Sequence, residues 1–204
     1  MGGERLTRKK HDGQFPVKSI QACLDFAQIT ISDIDHITFF WKPSITIKNI
    51  PVYFFKFFNK VPQLLREQRH FEVEENLGML NYIKDTYGVP NRIRNSFPNG
   101  KNAKFQFHYI EHHLCHAAST FFPSTFEDAA ILTIDGAGEW ATTMLAHGKG
   151  NSIQKIATIK TPYSLGAFYQ AISMHLGFKL IEGPGKLMAL ASFGNPNGEI
   201  YNQL

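Results

Sequence analysis

The run Asp128-Ala-Ala-Ile-Leu-Thr-Ile-Asp135 does most to constrain the fold of this chain. It is short, apolar and rich in β-branched residues between turn signals, so it reads as a buried strand. It delivers Asp135 to the strand's carboxyl end, directly before Gly136-Ala137-Gly138-Glu139. A second β-like run follows over residues 140–147, which places the glycines in a hairpin turn. Glycine permits φ > 0 and leaves backbone N–H groups able to face an anion, as in phosphate-binding nests. An aspartate beside such a turn is well placed to hold a divalent cation or a metal-bound water. An ordinary Asp-Gly hairpin with no ligand gives the same pattern.

Upstream, His112 and His116 stand four residues apart, which on a helix puts both imidazoles on one face about one turn apart. Two neutral imidazole nitrogens at that spacing can reach one cation. The small run Ala117-Ala118-Ser119 lets such a helix approach a neighbour closely. A metallopeptidase of this spacing needs a glutamate directly after the first histidine. That position is His113, which sets peptidase chemistry aside. Cys115 lies between the pair and reads either as a third ligand or as a small buried apolar residue. A histidine-rich helix end holding no metal is the competing reading; the Asp135 turn downstream favours the cation.

Residues 105–110 alternate as a strand leading into the histidine helix, and residues 153–159 read as the third strand of a meander. Ser164 reads as the N-cap of a helix over 164–178, with Gly177 as its stop. A hydroxyl at a helix N-terminus can serve an anion or simply cap. Glu182-Gly183-Pro184-Gly185-Lys186 precedes an apolar helix over 187–191. Glycines there let the backbone approach a nucleotide, and Lys186 can neutralise phosphate. The Gly-x-x-x-x-Gly-Lys-Ser/Thr spacing of a P-loop is absent.

The first half is less decisive. Residues 16–27 read as a helix, with Pro16 in its first turn and Val17, Ile20, Cys23 and Leu24 at helical spacing. Residues 34–41 read as a strand in which His36 is structural. Residues 51–69 are apolar and basic, too short and too charged to span a bilayer. They suit a membrane-surface helix or, better, aromatic packing under a loop. Residues 72–87 read as a helix ending at Gly88, and 92–103 as a polar loop. A length of 204 residues suits one or two domains. Cys23 and Cys115 give no disulfide framework, and with no secretory signal the expected location is cytoplasmic. The net charge of +4 gathers mainly in residues 5–10 without a nucleic-acid reader motif. A basic site for phosphorylated small molecules accounts for it, and no nucleic-acid partner is expected.

Four segments come in an order that resembles one family. They are Glu111-His-His-Leu-Cys-His-Ala-Ala-Ser119, Ala130-Ile-Leu-Thr-Ile-Asp-Gly-Ala-Gly-Glu139, Ser164-Leu-Gly-Ala-Phe-Tyr169, and Glu182-Gly-Pro-Gly-Lys-Leu-Met-Ala-Leu-Ala191 with Phe193-Gly194. This order is similar to that of the O-carbamoyltransferases, which carbamoylate nodulation factors, aminoglycosides and cephalosporins. The resemblance runs over residues 4–196. It implies an α/β chain forming part of an actin-like ATPase (ribonuclease H-like) fold, a mixed sheet with flanking helices. Residues 1–204 would be a partial amino-terminal domain, with a variable helical insertion at about 51–103.

The implied chemistry has two steps. Carbamoyl phosphate and ATP give carbamoyl-adenylate, with release of phosphate and pyrophosphate. The carbamoyl group then passes to a hydroxyl of a small acceptor, a sugar or natural product. The resemblance implies a divalent metal held by His112, His116 and Asp135; iron or zinc suits imidazole, and magnesium would accompany ATP. Glu4, Arg5, Thr7, Arg8, Lys10, His11 and Asp12 fit a family segment in which Lys10 and His11 are the catalytic candidates. Lys10, or else Lys9, is implied to bind carbamoyl phosphate. Gly136, Gly138, Ser164, Gly166, Glu182, Gly183, Gly185 and Lys186 are implied on the nucleotide side.

The family begins earlier, with a strand pair, and continues well past the equivalent of Leu204. A fragment is therefore expected, poorly soluble or inactive without the remainder of the fold. A tRNA threonylcarbamoyl-type enzyme is the less favoured relative, because the Arg8-Lys-Lys-His-Asp12 opening and the Ser164-Leu-Gly-Ala-Phe-Tyr169 helix resemble the small-molecule branch more. A non-catalytic nucleotide- or metal-binding module, or half of a split enzyme, is the reading from another class.

Overall fold

A computed structural model describes residues 3–9, 12–57, 78–180 and 182–195. Lys10, His11 and the expectations for residues 58–77 lie outside the described residues. The chain is mixed α/β and divides into two compact units, Met1–Ile110 and Glu111–Leu204.

The first unit runs α1 (Gly3–Thr7), α2 (Val17–Ala27), β1 (His36–Phe39), α3 (Pro43–Phe57), α4 (Gly78–Ser96) and β2 (Gln106–Tyr109). β1 and β2 pair in parallel, with His36 opposite Gln106 and Phe39 opposite Tyr109. Parallel neighbours require a long crossover, and α3 and α4 lie within it. Alternation along the strands turns Ile37, Phe39 and Phe107 to one face. There they pack with Leu24 of α2, Val89 and Ile93 of α4, and Phe97 just beyond it. His36 instead places its Nδ1 3.0 Å from Nε2 of His108 on the neighbouring strand.

α4 departs from the sequence reading in two ways. It does not stop at Gly88 but continues through Pro90 to Ser96, absorbing the start of the stretch expected as a polar loop. Local propensity opposes this course, since glycine and proline both weaken a helix interior and Pro90 has no N–H to give the Thr86 carbonyl. Burial reverses the outcome. Val89, Ile93 and Phe97 recur every four residues and form a buried stripe. The Tyr109 hydroxyl, 3.3 Å from the Thr86 carbonyl oxygen, donates the bond that Pro90 cannot.

The second unit runs α5 (His112–Phe121), β3 (Asp128–Ile134), β4 (Ala141–Lys149), β5 (Ser152–Lys160), α6 (Leu165–His175) and α7 (Gly183–Ala191). β3, β4 and β5 form an antiparallel meander with β4 in the centre, Ile134 opposite Thr143 and Leu145 opposite Ala157. The parallel and antiparallel pairings thus lie in two sheets, one in each unit. Ile131, Met144 and Ala146 face inward onto Ala117 and Phe121 of α5. Leu132, Ile134, Leu145 and Ile159 remain exposed. α7 starts earlier than the sequence suggests: Gly183, Pro184 and Gly185 form its first turn instead of a loop ahead of it. Proline is tolerated there because first-turn N–H groups have no intrahelical partner. Among the described residues no helix is long and apolar enough to cross a membrane.

Candidate metal centre

The site begins with how α5 is anchored. Its first N–H groups need outside acceptors, and the N-cap residue Glu111 makes no side-chain capping bond. Glu139, from the loop after β3, supplies one instead. Both of its carboxylate oxygens accept from the His112 backbone N–H, at 3.1 and 3.2 Å, and the residue is only 5% exposed. Negative charge at that end also suits the helix dipole. The approach is close at position 138, where glycine avoids a tight contact. A Cβ there would meet the Ala141 carbonyl oxygen at 3.0 Å and the His113 ring at 3.1 Å.

This anchoring brings three donor atoms together. Nε2 of His112 stands 2.8 Å from Oδ2 of Asp135, and Nε2 of His116 stands 3.1 Å from the same oxygen. The two nitrogens are 3.0 Å apart. His112 is mostly buried, whereas the side chains of Asp135 and His116 are 37% and 50% exposed, so the cluster opens on the His116 side. Three lone-pair-bearing atoms meeting at one point are reconciled by a shared proton or by a cation. Two imidazole nitrogens and one carboxylate oxygen fit zinc or iron better than magnesium. Burial works to raise the Asp135 carboxyl, but the bond from His112, the Gly136 N–H and His116 outweigh it and hold the group below its ordinary 3.8.

The other two members of the helix motif take structural roles. His113 is almost fully buried, with Nε2 donating to the Ala141 carbonyl at 3.0 Å and Nδ1 lying 2.7 Å from the Thr133 hydroxyl. Burial, more than any neighbour, pushes its pKa down and favours neutral imidazole. Cys115 is not among the converging donors. Burial first, and then the charge of Glu139, push its thiol up, which fits the apolar role.

Of the residues expected on the nucleotide side, Gly136, Gly138, Ser164 and Gly166 surround the Asp135 turn. The Gly136 N–H is taken by Oδ1 of Asp135 at 2.6 Å and the Gly138 N–H by the Ala141 carbonyl at 2.8 Å. Both donors are thus engaged within the turn. Among the described glycines, positive φ occurs instead at Gly150 and at Gly177, which terminates the α6 segment. Ser164 does cap α6, accepting from the Ala167 N–H at 3.0 Å. Glu182, Gly183, Gly185 and Lys186 gather at the start of α7. Lys186 Nζ lies 2.7 Å from Glu182, Gly183 is packed against Ser173, and Gly185 faces open space.

Two supports were not foreseen from sequence. One is Glu139 itself. The other is the ion pair between Lys155 of β5 and Glu111, at 2.6 Å, which ties the meander to the start of the histidine helix. The available signal was negative: a helix beginning at His112 without Ser, Thr, Asp or Asn before it must find its acceptor elsewhere.

Residues 1–204 match the family model described as the carbamoyltransferase N-terminus. An uncharacterized protein of Synechocystis sp. is 36% identical over 197 residues, covering 95% of this chain and 30% of that protein. Nodulation protein NolNO of Sinorhizobium fredii is 33% identical over 198 residues, covering 95% of this chain and 25% of that protein. Nodulation protein NolO of Bradyrhizobium diazoefficiens is 34% identical over 88 residues, covering 43% of this chain and 16% of that protein. The chain therefore spans 25–30% of the length of the first two relatives. With its whole length matched by that model, this chain belongs to the carbamoyltransferase family, in the region of its amino-terminal domain.

Proposed function

We propose that this chain carries the metal- and phosphate-handling part of an enzyme that moves a carbamoyl group from carbamoyl phosphate to a hydroxyl of a small-molecule acceptor, with ATP as the activating nucleotide. The convergence of His112, His116 and Asp135 carries the reading, because family membership alone does not specify how phosphate charge is handled. A zinc or iron ion at these three residues would act as a Lewis acid and template toward phosphate oxygens. The partly exposed His116 side leaves room for a substrate oxygen.

The remaining residues have matching tasks. Glu139, His113 and Gly138 hold the two ligating imidazoles in place. Lys186 would turn from Glu182 to a nucleotide phosphate, one charge-assisted contact replacing another. Lys10 and His11 are proposed for carbamoyl phosphate on the resemblance of their segment. Carbamoyl phosphate, ATP and one water balance to carbamoyl-adenylate, phosphate and pyrophosphate. The acceptor hydroxyl then attacks the carbonyl carbon, AMP leaves and the hydroxyl proton passes to solvent. The β3–β4–β5 meander with an aspartate after its first strand supports an actin-like subdomain in the second unit. Two free cysteines fit a reducing, cytoplasmic setting.

The test is carbamoyl-phosphate-dependent release of pyrophosphate from ATP, measured on the protein isolated from its source cells, together with its metal content. Release that needs carbamoyl phosphate and disappears in His116→Ala supports the reading. Stoichiometric metal retained by His116→Ala, or no carbamoyl-phosphate dependence, overturns it.

A further inference from the structure

We propose that the first turn of α6 positions Asp135 for cation binding, with Gly166 the sterically decisive residue and Ser164 its hydrogen-bonding partner. The inference rests on the cation-site reading above.

Asp135 lies one residue beyond β3, where the sheet ladder no longer fixes its backbone on both sides. Its own N–H donates to the Thr142 carbonyl at 3.0 Å. Its carboxylate is oriented from the following peptide, whose Gly136 N–H donates to Oδ1 at 2.6 Å while Oδ2 faces the two imidazoles. That same peptide is what α6 presses upon. A Cβ at position 166 would lie 2.5 Å from the Gly136 nitrogen, 2.6 Å from the Asp135 carbonyl carbon and 2.7 Å from its oxygen. All three are backbone atoms, which cannot swing aside as a side chain would. Only glycine allows the contact.

Ser164 holds this peptide and the next one from their carbonyl oxygens. Its hydroxyl is 3.1 Å from the Asp135 carbonyl oxygen and 2.8 Å from that of Gly136, and it accepts from Ala167 at 3.0 Å. The single hydroxyl proton serves those two carbonyls while the lone pairs cap the helix. One peptide plane is thus clamped by α6 and in turn aims the carboxylate. Displacing the plane rotates Oδ2 away from His112 and His116. Groups that orient a ligand in this way change metal affinity by about 10–100-fold when removed.

The experiment is Co2+ titration of the full chain, reading both the dissociation constant and the visible ligand-field spectrum. The proteins are wild type, Gly166→Ala, Ser164→Ala, Ser164→Thr and His116→Ala. Gly166→Ala is expected to weaken Co2+ at least about tenfold and to change the spectrum. Ser164→Ala should weaken binding by a smaller factor, and Ser164→Thr, which keeps the hydroxyl, should restore it. Wild-type affinity and spectrum in both Gly166→Ala and Ser164→Ala, alongside loss of binding in His116→Ala, overturn the positioning role alone. Wild type that binds no Co2+, or His116→Ala that binds it normally, overturns the cation-site reading and this inference with it. Should Gly166→Ala fail to fold, Ser164→Ala decides, because it removes the hydroxyl and adds no atoms.

Discussion

Both carboxylate oxygens of Glu139 accept from a single backbone donor, the N–H of His112, across 27 residues of sequence. The bond caps a helix that has no side-chain cap of its own, and it does so from a buried position. Glu139→Ala removes the cap and leaves the N–H without this acceptor, at a cost of about 1–3 kcal/mol. Glu139→Gln keeps an amide oxygen as acceptor and should lose less. Urea unfolding midpoints at constant slope measure both, and an Ala variant as stable as wild type would refute the capping role.

A proline inside α4 is compensated by a tyrosine on β2. Tyr109→Phe removes the hydroxyl that serves the Thr86 carbonyl and should cost about 0.5–1.5 kcal/mol. In a Pro90→Ala background the helix regains its own N–H donor, so the same substitution should cost less. Equal costs in the two backgrounds would show that the pair is uncoupled.

The same phenol sets an alkaline limit. Burial first, and then neighbouring Tyr87, raise the pKa of Tyr109 above 10.0. The folded state therefore keeps a proton that the unfolded chain gives up. Stability from the neutral phenol is complete below about pH 10 and is lost as pH rises through the raised value. Absorbance titration near 295 nm should show a late-ionising tyrosine that Tyr109→Phe removes. A Tyr109→Phe profile identical to that of wild type contradicts this.

Gly148 on β4 makes room for Phe121 of α5. A Cβ there would fall 2.8 Å from three carbons of the ring. Gly148→Ala should destabilise by about 1–3 kcal/mol through overpacking. Pairing it with Phe121→Leu, which withdraws the ring edge, should recover part of that loss; a strictly additive double variant would argue against contact at this point.

Asp135 is held ionised at neutral pH, so its charge is available to a cation. Asp135→Asn keeps the shape and deletes the charge. Calorimetric titration with Zn2+ should show affinity reduced by at least about tenfold, while an unchanged isotherm would remove Asp135 from the ligand set.

The centre was legible in sequence to the extent that its geometry is local. Four-residue spacing put His112 and His116 on one helix face, and an apolar run ending at Asp135 put a carboxylate at a strand's end. What escaped was set by distant partners. Helix α4 crosses Gly88 and Pro90 because Val89 and Ile93 are buried and because Tyr109 supplies a missing donor. No window of local propensity contains that information. Glu139 looked like the tail of a glycine turn, since its partner is 27 residues away. Gly136 and Gly138 looked like an open anion nest, but the turn consumes their N–H groups itself. Gly166 looked like part of a ligand motif, although in the fold a backbone lies directly against it.

The three converging donors and their supports, from Glu111 to Gly166, occupy one uninterrupted run of sequence inside a single compact unit. Hairpin pairings of short separation hold most of it, β3 to β4 and β4 to β5. Little loop entropy is spent in closing such a run, so this region should organise early, ahead of the long parallel crossover between β1 and β2. The candidate centre thus has the make-up of a cassette: its three donors and the groups that hold them travel together in one segment of the chain.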